Sequence, residues 1–236
     1  MSLYDRNYNG NTVQPKEFEY VQQKDETALR SFIKQTYQLF AASLLAGTVG
    51  AYVGMGMANV ISSFYWGLVI LEIALIFGLH FAKNKPGLSL VMLFAFTFMT
   101  GLTLTPLLSS VLSLNGGAGV VANAFLMTTA AFGGLTLFAM NTKKDFSTMG
   151  KVLLITLIVV IVGGIVNIFV GSPILQLAIA GVSAILFSFF ILYDTQNIIK
   201  GNYDSPVIAA SALYLNFLNL FISLLQILGI FGSKDD

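Results

Sequence analysis

The sequence has no cysteine and very few charged residues. Only 10% of its 236 residues are Asp, Glu, Lys or Arg, whereas a soluble domain carries about 25%. The absence of cysteine excludes disulfides, thiol chemistry and cysteine-ligated metals. So few charges cannot cover a soluble surface, and 56% of the residues are hydrophobic. With a mean hydropathy of +0.81, the chain is expected to have lipid as its solvent.

Several functional classes lack their signatures in this sequence. The net charge is only +1, and a nucleic-acid-binding protein would show a concentrated basic patch, so no nucleic-acid partner is expected. There is no Walker or Rossmann glycine pattern and no Gly-x-Ser-x-Gly turn. The single histidine, His80, lacks the further ligands that a zinc protease needs. We therefore expect neither an enzyme nor a resident cofactor.

Long apolar runs take up most of the sequence instead. Three runs without any charged residue cover residues 86–142, 152–193 and 205–233. A membrane-spanning helix needs about 20 apolar residues, so each of the first two runs is long enough for two spans. Turn signals divide them, at Pro106, at Asn115-Gly116-Gly117 and at Gly171-Ser172-Pro173.

The sequence therefore predicts an all-α integral membrane protein with seven transmembrane helices. Strands of a β-barrel would alternate apolar and polar residues, and these runs are apolar throughout. The predicted spans are residues 34–55, 63–82, 88–108, 118–140, 151–171, 173–197 and 207–230. Residues 1–30 are predicted to form a loose, polar cytoplasmic tail, residues 31–232 the transmembrane domain, and residues 233–236 a short external tail.

The distribution of Lys and Arg indicates the orientation of the chain. With seven spans, all but one of the 12 Lys and Arg residues lie on the same side of the membrane, and the exception is Lys234. They precede the first span or lie in the connections at Lys83 and Lys85, at 143–151 and at Lys200. Because cytoplasmic loops are enriched in these residues, the N-terminus is expected to be cytoplasmic and the C-terminus external.

Few ionisable residues fall inside the predicted spans. Glu72 lies near the middle of the second span, and Asp194 lies near the cytoplasmic end of the sixth. A carboxyl group is costly at such depths, so both residues are functional candidates. At 100° per residue, Asp194 shares one face of its helix with Ser183 and Gln176, to within about 20°.

The seventh span carries a polar stripe of its own. Its members fall within about 80° of one another, and they are Asn216, Asn219, Ser223 and Gln226. The simplest arrangement turns the stripes of the second, sixth and seventh spans towards a shared interior. For the amides and hydroxyls, hydrogen bonding that merely holds helices together is an equal alternative.

Five stretches resemble the Bax-inhibitor family (transmembrane Bax inhibitor motif proteins) in its bacterial branch. Two of them are specific in combination, Thr-Lys-Lys-Asp-Phe-Ser at 142–147 and Tyr-Asp-Thr-Gln at 193–196. The others are 69–77, which contains the buried acid, 96–108 and 213–229. The resemblance extends from about residue 29 to residue 232.

The resemblance implies a seven-helix fold with the last helix surrounded by the other six, and pH-sensitive passage of calcium. In the family, two aspartates on the last two helices share a proton and pair with a cation at the end of the second helix, which closes the cytoplasmic side. The corresponding residues here are Asp194, Asn216 and Lys83. Since an amide does not ionise, an Asp–Asn pair cannot share a proton, and weaker proton gating is expected.

The resemblance also implies an ion pathway lined by a glutamate of the second helix and an arginine of the seventh. The glutamate corresponds to Glu72 and the arginine position to Gln226. We expect Asn219, Ser223 and Ser183 to line the same pathway. Asp194 and Glu72 are the candidate transient calcium sites.

These features favour a passive, pH-influenced cation leak, with calcium as the expected ion, in a bacterial cytoplasmic membrane. One alternative is a regulatory protein, because some bacterial relatives bind and restrain a membrane-bound AAA protease. Another is a proton-coupled transporter that uses Glu72 and Asp194 as proton carriers. Carboxyl groups and amides do not by themselves define which ion is selected.

Overall fold

A computed structural model describes the backbone of residues 15–232 and the side chains of residues 25–230. Within this part all regular structure is helical. The helices are α1 (Pro15–Gly56), α2 (Ala58–Phe81), α3 (Pro86–Thr103), α4 (Thr105–Leu112), α5 (Gly117–Asn141), α6 (Gly150–Val170), α7 (Pro173–Ile199) and α8 (Pro206–Gly232).

Seven stretches of the described chain are long and apolar enough to cross a membrane. They are Asp25–Gly56, Ala58–Phe81, Pro86–Leu112, Gly117–Asn141, Gly150–Val170, Pro173–Ile199 and Pro206–Ile230. The prediction of seven transmembrane helices is thereby confirmed. All predicted bounds lie within about five residues of those observed, except the start of the first span.

Pro106 does not separate two spans, although the sequence marked it as a turn signal. It lies in the first turn of α4, which follows α3 after the single residue Leu104. Proline lacks the N–H that would continue the helical ladder, so α3 and α4 form one interrupted span. The reversal follows at the end of α4, where Gly116 adopts a φ of 70°, a conformation that glycine tolerates best.

The first helix is longer than the sequence predicted. It begins at Pro15 and has 42 residues, so the stretch predicted to be a loose tail is helical from residue 15 onwards. Residues 16–30 contain many Lys, Glu and Gln, which are good helix formers even where no apolar face exists. The rest of the predicted tail, residues 1–14, and the predicted external tail, 233–236, lie outside the described residues.

The last helix is the most buried of the seven spans. In an apolar 18-residue stretch of α8, 61% of the residues are buried, against 6% in the equivalent stretches of α2 and α6. Helix α8 packs against α1, α3, α5 and α7. Helix α8 is therefore the most enclosed span of the bundle, and α2 and α6 lie at its periphery. That all six other spans surround α8 stays a prediction.

Glycines allow α1 and α3 to pack closely. A Cβ atom added to Gly50 would collide with the carbonyl oxygen of Phe98 on α3. A Cβ atom added to Gly101 would collide in turn with the carbonyl oxygen of Gly47 on α1. Because these neighbours are backbone atoms, they cannot move aside without shifting a whole helix. Small residues at such crossings are how membrane helices approach each other.

We expect Gly101→Ala to destabilise the bundle by roughly 1–3 kcal/mol, the usual cost of overpacking. The matched control is Gly134→Ala on α5, where an added Cβ meets no atom within 4 Å. The control should be neutral or slightly stabilising, since alanine favours a helix. Thermal unfolding of both variants in detergent is the measurement. Equal stability of the two variants would contradict the close packing of α1 on α3.

Candidate functional site

Asp194 is a buried carboxyl group held by two neutral donors. It lies on α7 and is only 5% exposed. The side-chain amide of Asn216 on α8 donates to its Oδ2 at 2.6 Å. The hydroxyl of Tyr203 donates to its Oδ1 at 2.6 Å. The structure thus brings Asp194 and Asn216 together, as the resemblance implied, and it adds a third group, Tyr203.

Tyr203 was missed by the sequence reasoning. It lies in the connection between α7 and α8, outside any span, and it folds back onto Asp194. Burial raises the pKa of the Tyr203 hydroxyl well above its ordinary range, and the nearby Asp194 raises it further. Tyr203 therefore remains a neutral hydrogen-bond donor at any physiological pH. Its position in the sequence, nine residues after Asp194 and beyond the end of α7, gave no indication of this contact.

Lys83 contacts a different acid from the one that the resemblance implied. Its Nζ lies 2.5 Å from Oδ2 of Asp204, in the connection between α7 and α8. The hydrogen bond and charge of Lys83 lower the pKa of Asp204. This ion pair joins the α2–α3 connection to the α7–α8 connection. The expected contact of Lys83 with the Asp194–Asn216 pair is therefore wrong, because Asp204 in the facing loop pairs with Lys83 instead.

Lys83 also lines a cavity of about 400 Å³ at the same end of the bundle. Gln35 and Ser205 are also part of its lining. The pair itself is partly exposed, with Asp204 the more exposed partner. An exposed ion pair contributes only about 0–1 kcal/mol, so it can open without a large cost in stability.

Glu72 faces the bundle from the peripheral helix α2. Its Oε2 accepts a hydrogen bond of 2.8 Å from the hydroxyl of Thr103 on α3. The Glu72 side chain is partly buried. A carboxyl group facing hydrocarbon would be far costlier than one facing another helix. The structure therefore places Glu72 at the α2–α3 contact, away from the helix that carries Asp194.

A row of hydroxyls connects the surroundings of Glu72 to the most buried helix, α8. Thr103 lies one turn from Thr100 on α3, and it also donates to the Thr100 carbonyl at 3.1 Å. The hydroxyl of Thr100 lies 2.5 Å from that of Tyr214 on α8. Asn216, two residues further along α8, reaches Asp194 on the other side. A layer of polar groups thus crosses the bundle from α2 through α3 and α8 to α7.

Two of the remaining residues of the expected pathway, Asn219 and Ser223, form hydrogen bonds within their own helix. On α8, Asn219 donates to the carbonyl of Leu215 at 2.8 Å, and Ser223 donates to that of Asn219 at 2.7 Å. Both bonds stay within the helix, as the alternative of a structural role allows. Ser183 is buried on α7, and Gln226 is partly buried on α8. Their role in a pathway stays a prediction.

The two specific sequence motifs form one structural unit. Oε1 of Gln196, near the end of α7, accepts from the backbone N–H groups of Phe146 at 2.5 Å and Ser147 at 3.2 Å. Nε2 of Gln196 donates to the carbonyl of Lys144 at 2.8 Å. One amide side chain therefore fixes the connection between α5 and α6 onto α7. The motif that contains Asp194 and the Thr-Lys-Lys-Asp-Phe-Ser motif are separate in sequence and joined here.

A comparison with known proteins shows the family. The profile of the family described as inhibitor of apoptosis-promoting Bax1 matches residues 29–233. The chain belongs to the Bax-inhibitor family. It is 56% identical to an uncharacterized protein of Campylobacter jejuni, over 99% of this chain and all of that protein.

More distant members of the Bax-inhibitor family are also similar to this chain. An uncharacterized membrane protein of Vibrio cholerae is 38% identical, over 86% of this chain and 91% of its own length. The Golgi anti-apoptotic protein of vaccinia virus is 38% identical, over 69% of this chain and 67% of its own length. The resemblance inferred from the motifs is therefore confirmed. The protein is a multi-pass Bax-inhibitor-family protein, embedded in a lipid bilayer by seven spans.

Lys200 provides a second attachment of the α5–α6 connection in this Bax-inhibitor-family chain. Its Nζ donates to Asp145 at 2.7 Å, and this bond, together with two hydrogen bonds from Ser147, lowers the pKa of Asp145 from 3.8 to about 2. Since the pKa is lowered in the folded protein, the pair is present above pH 3.8 and is lost only as the pH falls towards 2. Any pH response near neutrality must therefore arise elsewhere.

We expect Gln196→Met to destabilise the Bax-inhibitor fold by about 1–3 kcal/mol, because two loop N–H groups lose their acceptor. Methionine preserves the length of the side chain but cannot replace the amide. Gln176→Met, at the opposite end of α7, is the matched control and should cost less. Thermal unfolding and protease cleavage within residues 142–149 report the effect. If both variants behave alike, Gln196 does not hold the loop.

Proposed function

We propose that this Bax-inhibitor-family protein is a passive cation leak with calcium as its expected ion. The observation that carries the proposal concerns the two intramembrane carboxyl groups, Glu72 and Asp194, and the lack of a cationic partner for either among the described ion pairs. Among the described side chains, the ion pairs involve Arg30, Lys83 and Lys200, with Glu26, Asp204 and Asp145 as their partners. Within the described part of the chain, neither Glu72 nor Asp194 therefore has a cationic side chain to neutralise it, and a passing cation can do so.

The candidate ligands favour weak, transient binding of calcium over binding at a high-affinity site. No group of three His, Cys, Asp or Glu side chains comes together within the described part of the chain. High-affinity calcium sites gather six to eight oxygen ligands, several of them carboxylates. Separate single carboxyls with hydroxyl and amide neighbours would bind a cation weakly and release it quickly, as conduction requires.

Buried hydroxyls without partners support a hydrated interior. The hydroxyls of Tyr37, Thr136 and Thr195 form no hydrogen bond of ordinary geometry. The hydroxyl of Tyr37 nevertheless lies close to those of Thr195 and Thr136. They come from α1, α7 and α5, and Thr195 directly follows Asp194. Since unsatisfied buried hydroxyls are costly, we infer that water occupies this region when the protein is in a membrane.

The proposed gate is at the end of the bundle that carries Asp194. There the Lys83–Asp204 pair joins two loops, and Tyr203 in one of those loops is bound to Asp194. Opening the ion pair would allow the α7–α8 connection to move and Asp194 to exchange Tyr203 for water or a cation. The exposed ion pair thus acts as a latch over the buried carboxyl.

The orientation belongs to the same proposal. The latch lies beside the lysine-rich connections, which would face the cytoplasm of a bacterial inner membrane. A reporter fused near Lys144 is expected to be cytoplasmic, and one fused after Asp236 external. Paired reporters active only in one compartment, such as a phosphatase and a fluorescent protein, make the measurement. Both positions on the same side of the membrane would contradict the three spans that separate Lys144 from Asp236.

A first test of the leak uses purified protein in liposomes that contain a calcium-sensitive dye. A calcium gradient alone should produce dye signal above that of protein-free liposomes, and the rate should rise with the amount of protein. Protein at equal density that carries no calcium above background would contradict the proposal.

The regulatory alternative has one observation in its favour. A helix of 42 residues is about 63 Å long, about twice the hydrocarbon thickness of about 30 Å. The N-terminal part of α1 therefore projects beyond the bilayer as a polar helix. Such a projection could contact a membrane-bound AAA protease, and deleting it should then affect the protease while leaving ion flux unchanged.

A further inference from the structure

A second cavity opens sideways between α1 and α5, at the level of the spans. Its volume is about 610 Å³. Thr48 lies on its α1 wall and Phe125 on its α5 wall, and its floor includes Phe217 and Phe221 of α8. Here the most buried helix of the bundle lacks a covering helix. We call this cavity the lateral cleft.

The lateral cleft is closed at one end and open along its side. Phe40 of α1 stacks on Phe132 of α5 with ring centroids 4.8 Å apart, and Phe217 packs against both rings. This aromatic contact joins the two walls near the middle of the bundle. From there towards the C-terminal end of α1 the walls separate, and Phe125 is 49% exposed at the opening.

The length of the cleft corresponds to one leaflet. Its lining on α1 extends from Ala41 to Met55, and the part between Ala41 and the interfacial Tyr52 is about 17 Å long along a helix. One leaflet of the hydrocarbon core is about 15 Å thick. The opening lies within spans α1 and α5, so only lipid has access to it. Tyr52, at the far end of the cleft and 76% exposed, is suited to the membrane–water interface, where Tyr is enriched.

The side chains that line the lateral cleft favour an occupant made of hydrocarbon. The hydroxyl of Thr48 is already bound to the carbonyl of Leu44 at 2.8 Å. The hydroxyl of Tyr214 is bound to Thr100 at 2.5 Å and to the carbonyl of Thr97 at 3.2 Å. Apart from Tyr52 at the end of the cleft, the other lining side chains are aliphatic or aromatic. An occupant inside the cleft therefore finds no free polar partner.

A cleft of this size does not stay empty in a membrane. Protein interiors contain few voids larger than a water molecule, and an unfilled apolar wall forfeits its dispersion contacts. Water would find no hydrogen-bonding partner among the bound hydroxyls. The flexible chains of the surrounding lipid are at the opening and have the required shape.

We propose that the lateral cleft binds one acyl chain of a membrane lipid, from the leaflet at the C-terminal end of α1. The chain lies along α8 and ends against the Phe40–Phe132 contact. It packs against the ring of Tyr214, whose hydroxyl takes part in the polar layer leading to Glu72. The bound chain thus completes the wall of the central helix, unlike the lipids that only surround the bundle.

The test uses liposomes containing a phosphatidylcholine with a photoactivatable diazirine near the end of one acyl chain. After irradiation, labelled peptides are mapped by mass spectrometry. We expect labelling of α8 around residues 214–221, beside the general labelling of the peripheral helices α2 and α6. Labelling confined to the peripheral helices, with none on α8, would overturn the proposal.

A filling variant makes the test specific. Thr48→Trp places a large ring in the cleft and should abolish the labelling of α8. The matched control is Val49→Trp, at an exposed position of α1 outside the cleft lining, and it should leave that labelling unchanged. Persistent labelling of α8 in Thr48→Trp would contradict binding in the cleft. Chain-to-chain cross-links through the cleft would instead show that a second copy of the protein occupies it.

Discussion

Replacing Glu72 by Gln is expected to reduce cation flux through the protein about tenfold or more, with the amount of inserted protein unchanged. The substitution keeps the shape of the side chain and its ability to accept from Thr103. It removes the negative charge that attracts the cation. At a separation of 4 Å this attraction is worth about 4 kcal/mol even in a polarisable surrounding, and each 1.4 kcal/mol changes occupancy about tenfold.

The control for this variant is Glu26→Gln. Glu26 lies on the exposed, polar part of α1, where it is 4.0 Å from Arg30, so the same chemical change there should leave flux unaltered. Flux is measured in liposomes with matched protein density, and size-exclusion chromatography verifies folding. If Glu72→Gln conducts like the unaltered protein, Glu72 only connects α2 to α3, and the regulatory alternative gains weight.

Asn216→Asp is expected to introduce a steep pH dependence that the unaltered protein lacks. Asn216 and Asp194 are already in contact at 2.6 Å, so the variant places two carboxyl groups at hydrogen-bond distance. Such a pair shares one proton and titrates in two separate steps. Flux in the variant should change by up to about tenfold per pH unit as the shared proton is lost, and that of the unaltered protein should change little between about pH 6 and 8.

Asn219→Asp is the matched control for the second carboxyl. It adds an acid to the same helix, but at a residue that bonds to the carbonyl of Leu215 instead of Asp194. The comparison is made from initial flux rates at a series of pH values, with equal pH on both sides of the membrane. A steep response near neutrality in the unaltered protein would show that the Asp–Asn contact does not explain pH behaviour in this chain.

The membrane spans were predictable from the sequence because each one is defined by a continuous run of apolar residues. Twenty apolar residues define a span wherever they lie, and Lys and Arg mark its cytoplasmic end. The extent of α1 was missed for the opposite reason. Its first part is polar, so hydropathy gives no signal there, and only helix propensity favours the observed structure.

One contact of the candidate site was predictable from the sequence, whereas the others were not. Asp194 and Asn216 were expected to meet because the resemblance implied a pair at these positions, and the structure has them bonded. The ion pair of Lys83 joins residues 121 positions apart, and no periodicity connects two loops. Likewise, the motif containing Gln196 was recognised from its amino-acid sequence. The hydrogen bonds of Gln196 to residues 144–147 depend instead on how α5, α6 and α7 pack.

The most direct test of a passive leak is the membrane voltage at which net calcium flux through the purified protein reverses, measured in planar bilayers or voltage-clamped liposomes. The pH is kept equal on both sides, and the calcium gradient is varied. A passive pathway predicts that the reversal voltage follows the calcium equilibrium potential at every gradient, without any proton gradient. Calcium movement that requires a proton gradient, or a reversal voltage that follows the proton potential, would contradict the account and favour a proton-coupled transporter.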